Sequence, residues 1–160
     1  MARILAYTSP ARGHLFPLTP ILDELHRRGH QIALRTLASQ VPLMQMRGFT
    51  AAPISEHIEV IEHDDWRART PRAALERNLR VGTARAVYDA PDLQQAIADE
   101  HPDALIVDIN SWGALAAAEA WGGPWATFSP FPLALTQFPS CPRYSFSLSA
   151  TALALASDKR

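Results

Sequence analysis

His14 and Asp108 are the two side chains whose type and place in the chain could do chemistry. A carboxylate bonded to one imidazole nitrogen fixes the tautomer and raises the basicity of the other nitrogen. Such a pair can take a proton from a hydroxyl as a general base. The residues are far apart in sequence, so the pair exists only if the fold returns the chain to the same edge. Two plainer readings stand beside this one. A histidine opening a helix can be a capping or solvated residue whose charged form the helix dipole disfavours. An aspartate ending a strand commonly caps the helix that follows.

The elements that must position these groups can be read in order. Arg3-Ile4-Leu5-Ala6-Tyr7 is a short strand run, and Thr8 to Gly13 is a turn built from residues that favour loops. A helix then opens at His14, with Leu15, Leu18, Leu22 and Leu25 on one face, Ile21 beside them, and Pro17 and Pro20 read as first-turn prolines. Arg27-Arg28-Gly29 stops it. Gln31–Thr36 reads as a second strand, Ser39–Met46 as a short helix ending at Gly48, and Phe49–Ile54 as a third strand. Residues 55–70 are dense in charge (Glu56, His57, Glu59, Glu62, His63, Asp64, Asp65) and read as a long loop with one turn of helix. Two helices are expected next, Pro71–Tyr88 interrupted near Gly82 and Pro91–Glu100 with Asp89 as its cap. Ala104-Leu105-Ile106-Val107 is an apolar run ending at Asp108, as in a strand buried on both faces. Asn110 or Ser111 can cap the helix Trp112–Trp121, which stops at Gly122-Gly123 before a fifth strand over Pro124–Phe128.

Strands alternating with helices define an α/β fold, Rossmann-like, with a mostly parallel sheet flanked by helices over residues 1–135. In such a sheet His14, just past the first strand, and Asp108, ending the fourth, share the carboxyl edge where ligands bind. From about Thr136 the rhythm stops. Residues 136–160 read as an atypical tail, with a short alanine-rich helix over Ala150–Ala156, of the kind a truncation or a change of reading frame would leave.

Composition bounds the function. A chain of 160 residues forms one domain with a real core. Its 48% hydrophobic and 19% charged residues are those of an ordinary globular protein, and a net charge of −1 without a Lys/Arg cluster points away from nucleic acid. The single Cys141 excludes an internal disulfide framework and fits a reducing compartment. There is no signal-peptide pattern and no run of the roughly 20 apolar residues a membrane span needs, so a cytoplasmic protein is expected. Heavy alanine and arginine usage fits a GC-rich bacterial genome. His57 and His63 among their acidic neighbours match no zinc spacing and read as a solvated loop, so no metal site is expected. Residues 8–14 hold one glycine where a dinucleotide fingerprint needs three, and Ser9 and Ser129 lack a nucleophile-elbow context. Trp112, four residues past Asp108, is a pocket candidate, whereas Trp121 and Trp125 read as core.

The stretch Gly13-His14-Leu15-Phe16-Pro17 through Arg27-Arg28-Gly29-His30 resembles the opening of GT-B glycosyltransferases. Within them it is similar to the UDP-glycosyltransferase superfamily and its bacterial macrolide and antibiotic members. Asp103 to Asp108, then Gly113 to Glu119 and Gly123-Pro124-Trp125, resemble that family's fourth and fifth strands. The resemblance covers residues 1–135 and implies an N-terminal acceptor-binding domain of an inverting, metal-free hexosyltransferase. It implies His14 as the base that deprotonates an acceptor hydroxyl and Asp108 as its partner. The acceptor pocket would come from the loop after Ile54, the helix through Leu79 and the segment from Phe128 to Phe131. Gly13, Trp112, Phe128 and Phe131 are the acceptor-side candidates, and the acceptor is expected to be a hydrophobic small molecule. No bound cofactor is expected; a UDP- or TDP-linked sugar is the co-substrate. The family also needs a second, donor-holding domain, and no second βαβ series or Gly-rich donor motif stands within residues 1–160. Two other readings stay open: a truncated non-catalytic fragment, and an unrelated small-molecule-binding Rossmann-like module. Oligomeric state is not legible.

Overall fold

A computed structural model describes residues 1–131; Cys141, the tail and the helix expected over Ala150–Ala156 lie outside the described residues. The elements are β1 (Arg3–Tyr7), α1 (Arg12–Arg27), β2 (Gln31–Thr36), a 3-10 turn (Ala38–Gln40), α2 (Val41–Met46), β3 (Thr50–Pro53), α3 (Glu56–Glu59), a 3-10 turn (Asp65–Arg67), α4 (Pro71–Glu100), β4 (Ala104–Asp108), α5 (Trp112–Trp121) and β5 (Trp125–Phe128).

All five strands pair in parallel, in the order β3-β2-β1-β4-β5. Each strand alternates apolar residues to two covered faces, as a parallel sheet requires. Ile4 and Ala6 of β1 join Leu15, Leu18 and Leu22 of α1 and Met44 of α2 on one side. Leu5 and Tyr7 join Leu93 and Ala96 of α4 and Ala114, Ala117 and Ala118 of α5 on the other. The chain leaves β1 toward β2 on one side and returns beside β1 through β4 on the other. That switch point lies at the carboxyl ends of β1 and β4.

Several expectations change. Helix α1 starts at Arg12, so Pro17 and Pro20 lie inside it rather than in its first turn. Both prolines, and the residues four before them (Gly13 and Phe16), are exposed, so water can meet the carbonyls that lose their partners. Ile21 is also exposed, and Leu15, Leu18 and Leu22 make the buried stripe. The expected helix Ser39–Met46 is a 3-10 turn followed by α2.

The largest change is α4, one helix of 30 residues through both Gly82 and Pro91. Gly82 is not a break. A Cβ there would come within 2.7 Å of the Trp112 ring, so the glycine lets α5 approach. Pro91 and Val87, four residues before it, are exposed, the same arrangement that tolerates the prolines of α1. Asp89 therefore caps no second helix; it is 2% exposed, mid-helix, and faces α5. The N-cap of α4 is Thr70, whose side chain accepts from the Ala73 N–H at 3.2 Å.

The α4–α5 crossing is set by a second glycine. A Cβ on Gly113 would stand 2.0 Å from the Ala86 carbonyl oxygen, a backbone atom that cannot yield as a side chain would. Gly113→Ala is expected to lower unfolding free energy by about 3 kcal/mol or more, above the usual cost of one extra buried methyl. Urea denaturation of the variant measures this; a change within about 0.5 kcal/mol would show that the crossing is loose.

Candidate active site

The turn after β1 and the turn after β4 meet at the switch point. His14 is the third residue of α1 and is 8% exposed; Asp108 ends β4 and is fully buried. His14 Nδ1 lies 2.8 and 2.9 Å from the two Asp108 oxygens. A carboxylate can only accept, so Nδ1 carries the hydrogen, and in the neutral ring Nε2 keeps a free lone pair.

Two residues that sequence reasoning missed complete the cluster. Ser9 donates to Asp108 Oδ2 from its backbone N–H at 3.3 Å and from Oγ at 3.0 Å. The Asn110 N–H donates to Asp108 Oδ1 at 2.8 Å, and Asn110 Nδ2 lies 3.2 Å from His14 Nε2. From the sequence, Ser9 is only a serine without a nucleophile-elbow context, and Asn110 only a candidate helix cap. The signal that could have found them is small polar residues in the two turns of one sheet edge, next to a carboxylate that burial obliges to find donors.

The acceptor-side candidates fall in different places. Phe131 stands edge-on to the His14 ring, centroids 5.3 Å apart, and is 56% exposed. Gly13 is exposed beside His14, with open space where a Cβ would be. Trp112 is half-buried with its ring against Gly82 of α4. Phe128 is half-buried and packs on the α1 side of the sheet, while its carbonyl accepts the Ile109 N–H at 2.9 Å. Trp121 and Trp125 pack against the opposite core.

The charged loop after Ile54 holds short helices and pairs with itself and with α4. His63 bonds Asp65 at 2.9 Å, Arg67 bonds Glu62 at 3.2 Å, and Arg77 of α4 bonds Asp64. Among the described residues no group of three or more His, Cys, Asp or Glu could hold a metal ion. Likewise among them, no helix is long and apolar enough to cross a membrane.

Beneath the pair, on the α4 side, lies a polar seam. The Tyr7 hydroxyl donates to Asp92 at 2.8 Å, and burial, reinforced by the charges of Asp92 and Asp89, pushes its pKa far up. Asp89 faces the start of α5, where the Gly113 backbone N–H favours its charged form. Ser111 stands at the N-cap position, yet its hydroxyl makes no cap bond. Among the described residues neither Ser111 Oγ nor Asp89 Oδ2 has a partner. Burial pushes the Asp89 pKa up to about 7; Arg85 opposes the shift, and Asp92 and Asp108 add to it.

No family model matches the chain. The solved glycosyltransferase of kitacinnamycin superposes with a TM-score of 0.61 at 25% identity, over 81% of this chain and 30% of that one. The spinosyn rhamnosyltransferase, solved with thymidine diphosphate and with spinosyn aglycone, superposes at 0.60 and 17% identity, over 78% and 79% of this chain and 34% of its own, a likeness of fold. The described residues thus have the fold of one Rossmann-like half of a GT-B glycosyltransferase. In sequence the chain is 29% identical over 132 residues to the oleandomycin glycosyltransferase of Streptomyces antibioticus, covering 81% of this chain and 29% of that enzyme. Its relatives are therefore antibiotic glycosyltransferases, which it matches as an N-terminal domain while spanning about a third of their length.

The raised pKa of Asp89 has a signed consequence. A carboxyl that binds its proton more tightly folded than unfolded contributes stability that is complete below the ordinary value of 3.8. That contribution is lost as pH rises through about 7. Asp89→Asn keeps the shape of the side chain and removes the charge. Its stability relative to the parent chain should therefore improve from about pH 4 to pH 7 and level off above that in urea titrations. A difference that does not change with pH would place the Asp89 carboxyl in contact with water.

Proposed function

We propose that this chain is the acceptor-binding part of an inverting glycosyltransferase, a hexosyltransferase acting on a small, largely apolar molecule with a free hydroxyl. The observation that carries the reading is the buried His14–Asp108 pair at the switch point, with Nδ1 committed to the carboxylate. The likeness to antibiotic glycosyltransferases supports the same reaction class.

In this mechanism the acceptor hydroxyl gives its proton to His14 Nε2 as its oxygen attacks the anomeric carbon of a UDP- or TDP-linked sugar. The new C–O bond forms on the face opposite the leaving group. The bond to the nucleoside diphosphate breaks with its electron pair, so configuration inverts. Asp108 holds the ring in the productive tautomer and offsets the imidazolium charge while the proton resides there. Ser9 and the Asn110 N–H spare Asp108 the cost of an unpaired buried charge. The nucleotide sugar is held by a second unit of the kind the resemblance implies. The acceptor lies over Gly13 and against the exposed edge of Phe131.

Calorimetry should detect saturable binding of phenolic or macrolide aglycones, and mass spectrometry should detect glycoside formed from a UDP- or TDP-sugar when the chain is joined to a donor-holding unit. His14→Ala is expected to lower kcat/KM by about 10²- to 10⁴-fold while aglycone binding persists. Asp108→Asn, which frees the ring to adopt the wrong tautomer, should fall by a comparable factor. Wild-type kcat/KM in His14→Ala would sink the assignment of the base.

A further inference from the structure

A neutral imidazole has one in-plane lone pair, and it can accept one good hydrogen bond. In His14 that lone pair is on Nε2, because Nδ1 is spent on Asp108. Asn110 Nδ2 lies 3.2 Å from it. The amide therefore occupies the position that an acceptor hydroxyl must take to hand over its proton, and the two cannot be there together.

The rest of Asn110 is arranged so that only its side chain need move. The backbone N–H is tied to Asp108 Oδ1 at 2.8 Å, the following Ser111 N–H donates to the Asp108 carbonyl at 3.0 Å, and the side chain itself is exposed. Rotation about its own bonds carries the amide into solvent, where water replaces the lost partner, while the turn and Asp108 stay in place. Phe131 lies against the same ring, so an aglycone entering beside it arrives where the amide must leave.

We propose that Asn110 is a latch on the base, a positioning residue that holds the His14 ring through Nε2 at rest and is displaced by the substrate's hydroxyl. The latch also selects. Only a group that donates a hydrogen bond can replace the amide N–H at Nε2, so a hydroxyl opens it and the corresponding ether does not. The inference rests on the acceptor-site reading above, and the test separates the two.

The experiment uses the isotope-labelled full chain and two probes, naphthol and its O-methyl ether, followed by NMR at the Asn110 side-chain amide and the His14 ring nitrogens. Naphthol is expected to shift Nε2 and to return the Asn110 amide to the position of a solvated one; the ether should leave both unchanged. Asn110→Ala retains the backbone bond to Asp108, and the His14 Nδ1–H resonance reports that the pair is intact. This variant should bind naphthol about fivefold more tightly, the effect of no longer breaking one neutral hydrogen bond, with affinity for the ether unaltered. Naphthol bound with the Asn110 amide still on Nε2, or equal naphthol affinity in the parent and Asn110→Ala, would overturn the latch and leave the acceptor site standing. No naphthol binding by either protein would overturn the acceptor-site reading and the latch with it.

Discussion

A carboxylate with no access to water must be met by donors, and Asp108 is such a carboxylate. Its two oxygens take bonds from Ser9 twice, from the Asn110 N–H and from His14 Nδ1. Those donors come from three places: the turn after β1, the start of α1, and the turn leading into α5. Satisfying one buried charge therefore fixes the entry angle of α1, the course of both turns and the tautomer of the histidine. The parallel pairing of β1 with β4, in register from Ile4 with Ala104 to Tyr7 with Val107, brings these places together.

The same demand is met differently on the other side of the sheet. Asp89, Arg85, Asp92 and Tyr7 form a polar seam between α4 and the core, and its hydrogen bonds are incomplete among the described residues. The seam sets the Asp89 carboxyl against the start of α5 at Gly113, where Ser111 makes no cap bond of its own. An apolar stripe would have packed α4 more simply. The polar one ties β1 to α4 through the Tyr7–Asp92 hydrogen bond, which has direction where apolar packing has little.

What could be read beforehand follows from which signals are periodic. The strands, α1 and α5 carry apolar spacing, and the order in which strands and helices alternate puts His14 and Asp108 on one sheet edge. Ser9 and Asn110 were hidden because a side chain's hydrogen-bond partner leaves no trace in the spacing of its neighbours. The continuity of α4 was hidden for two reasons. Its buried face interleaves Val81, Leu93 and Ala96 with Arg85 and Asp89, so the apolar period fades. Gly82 and Pro91 are ordinary helix breakers, and here one faces a tryptophan ring that needs its space while the other faces water. The helix ends at His101 with φ +46, a left-handed position where glycine would have marked the stop.

The crossing of α4 over α5 at Gly82 and Ala86 divides the long helix into unequal tasks. From Ala86 onward it is bound into the core through Leu93 and Ala96; before Gly82 it carries Leu75 and Leu79 to the surface, next to the self-paired charged loop. None of the residues that set the His14–Asp108 distances lies in that outer half. The architecture is therefore modular in an evolutionary sense. Substitutions in the outer half of α4 and in the loop before it can recut that surface, one residue at a time, and the geometry of the His14–Asp108 pair is left unchanged.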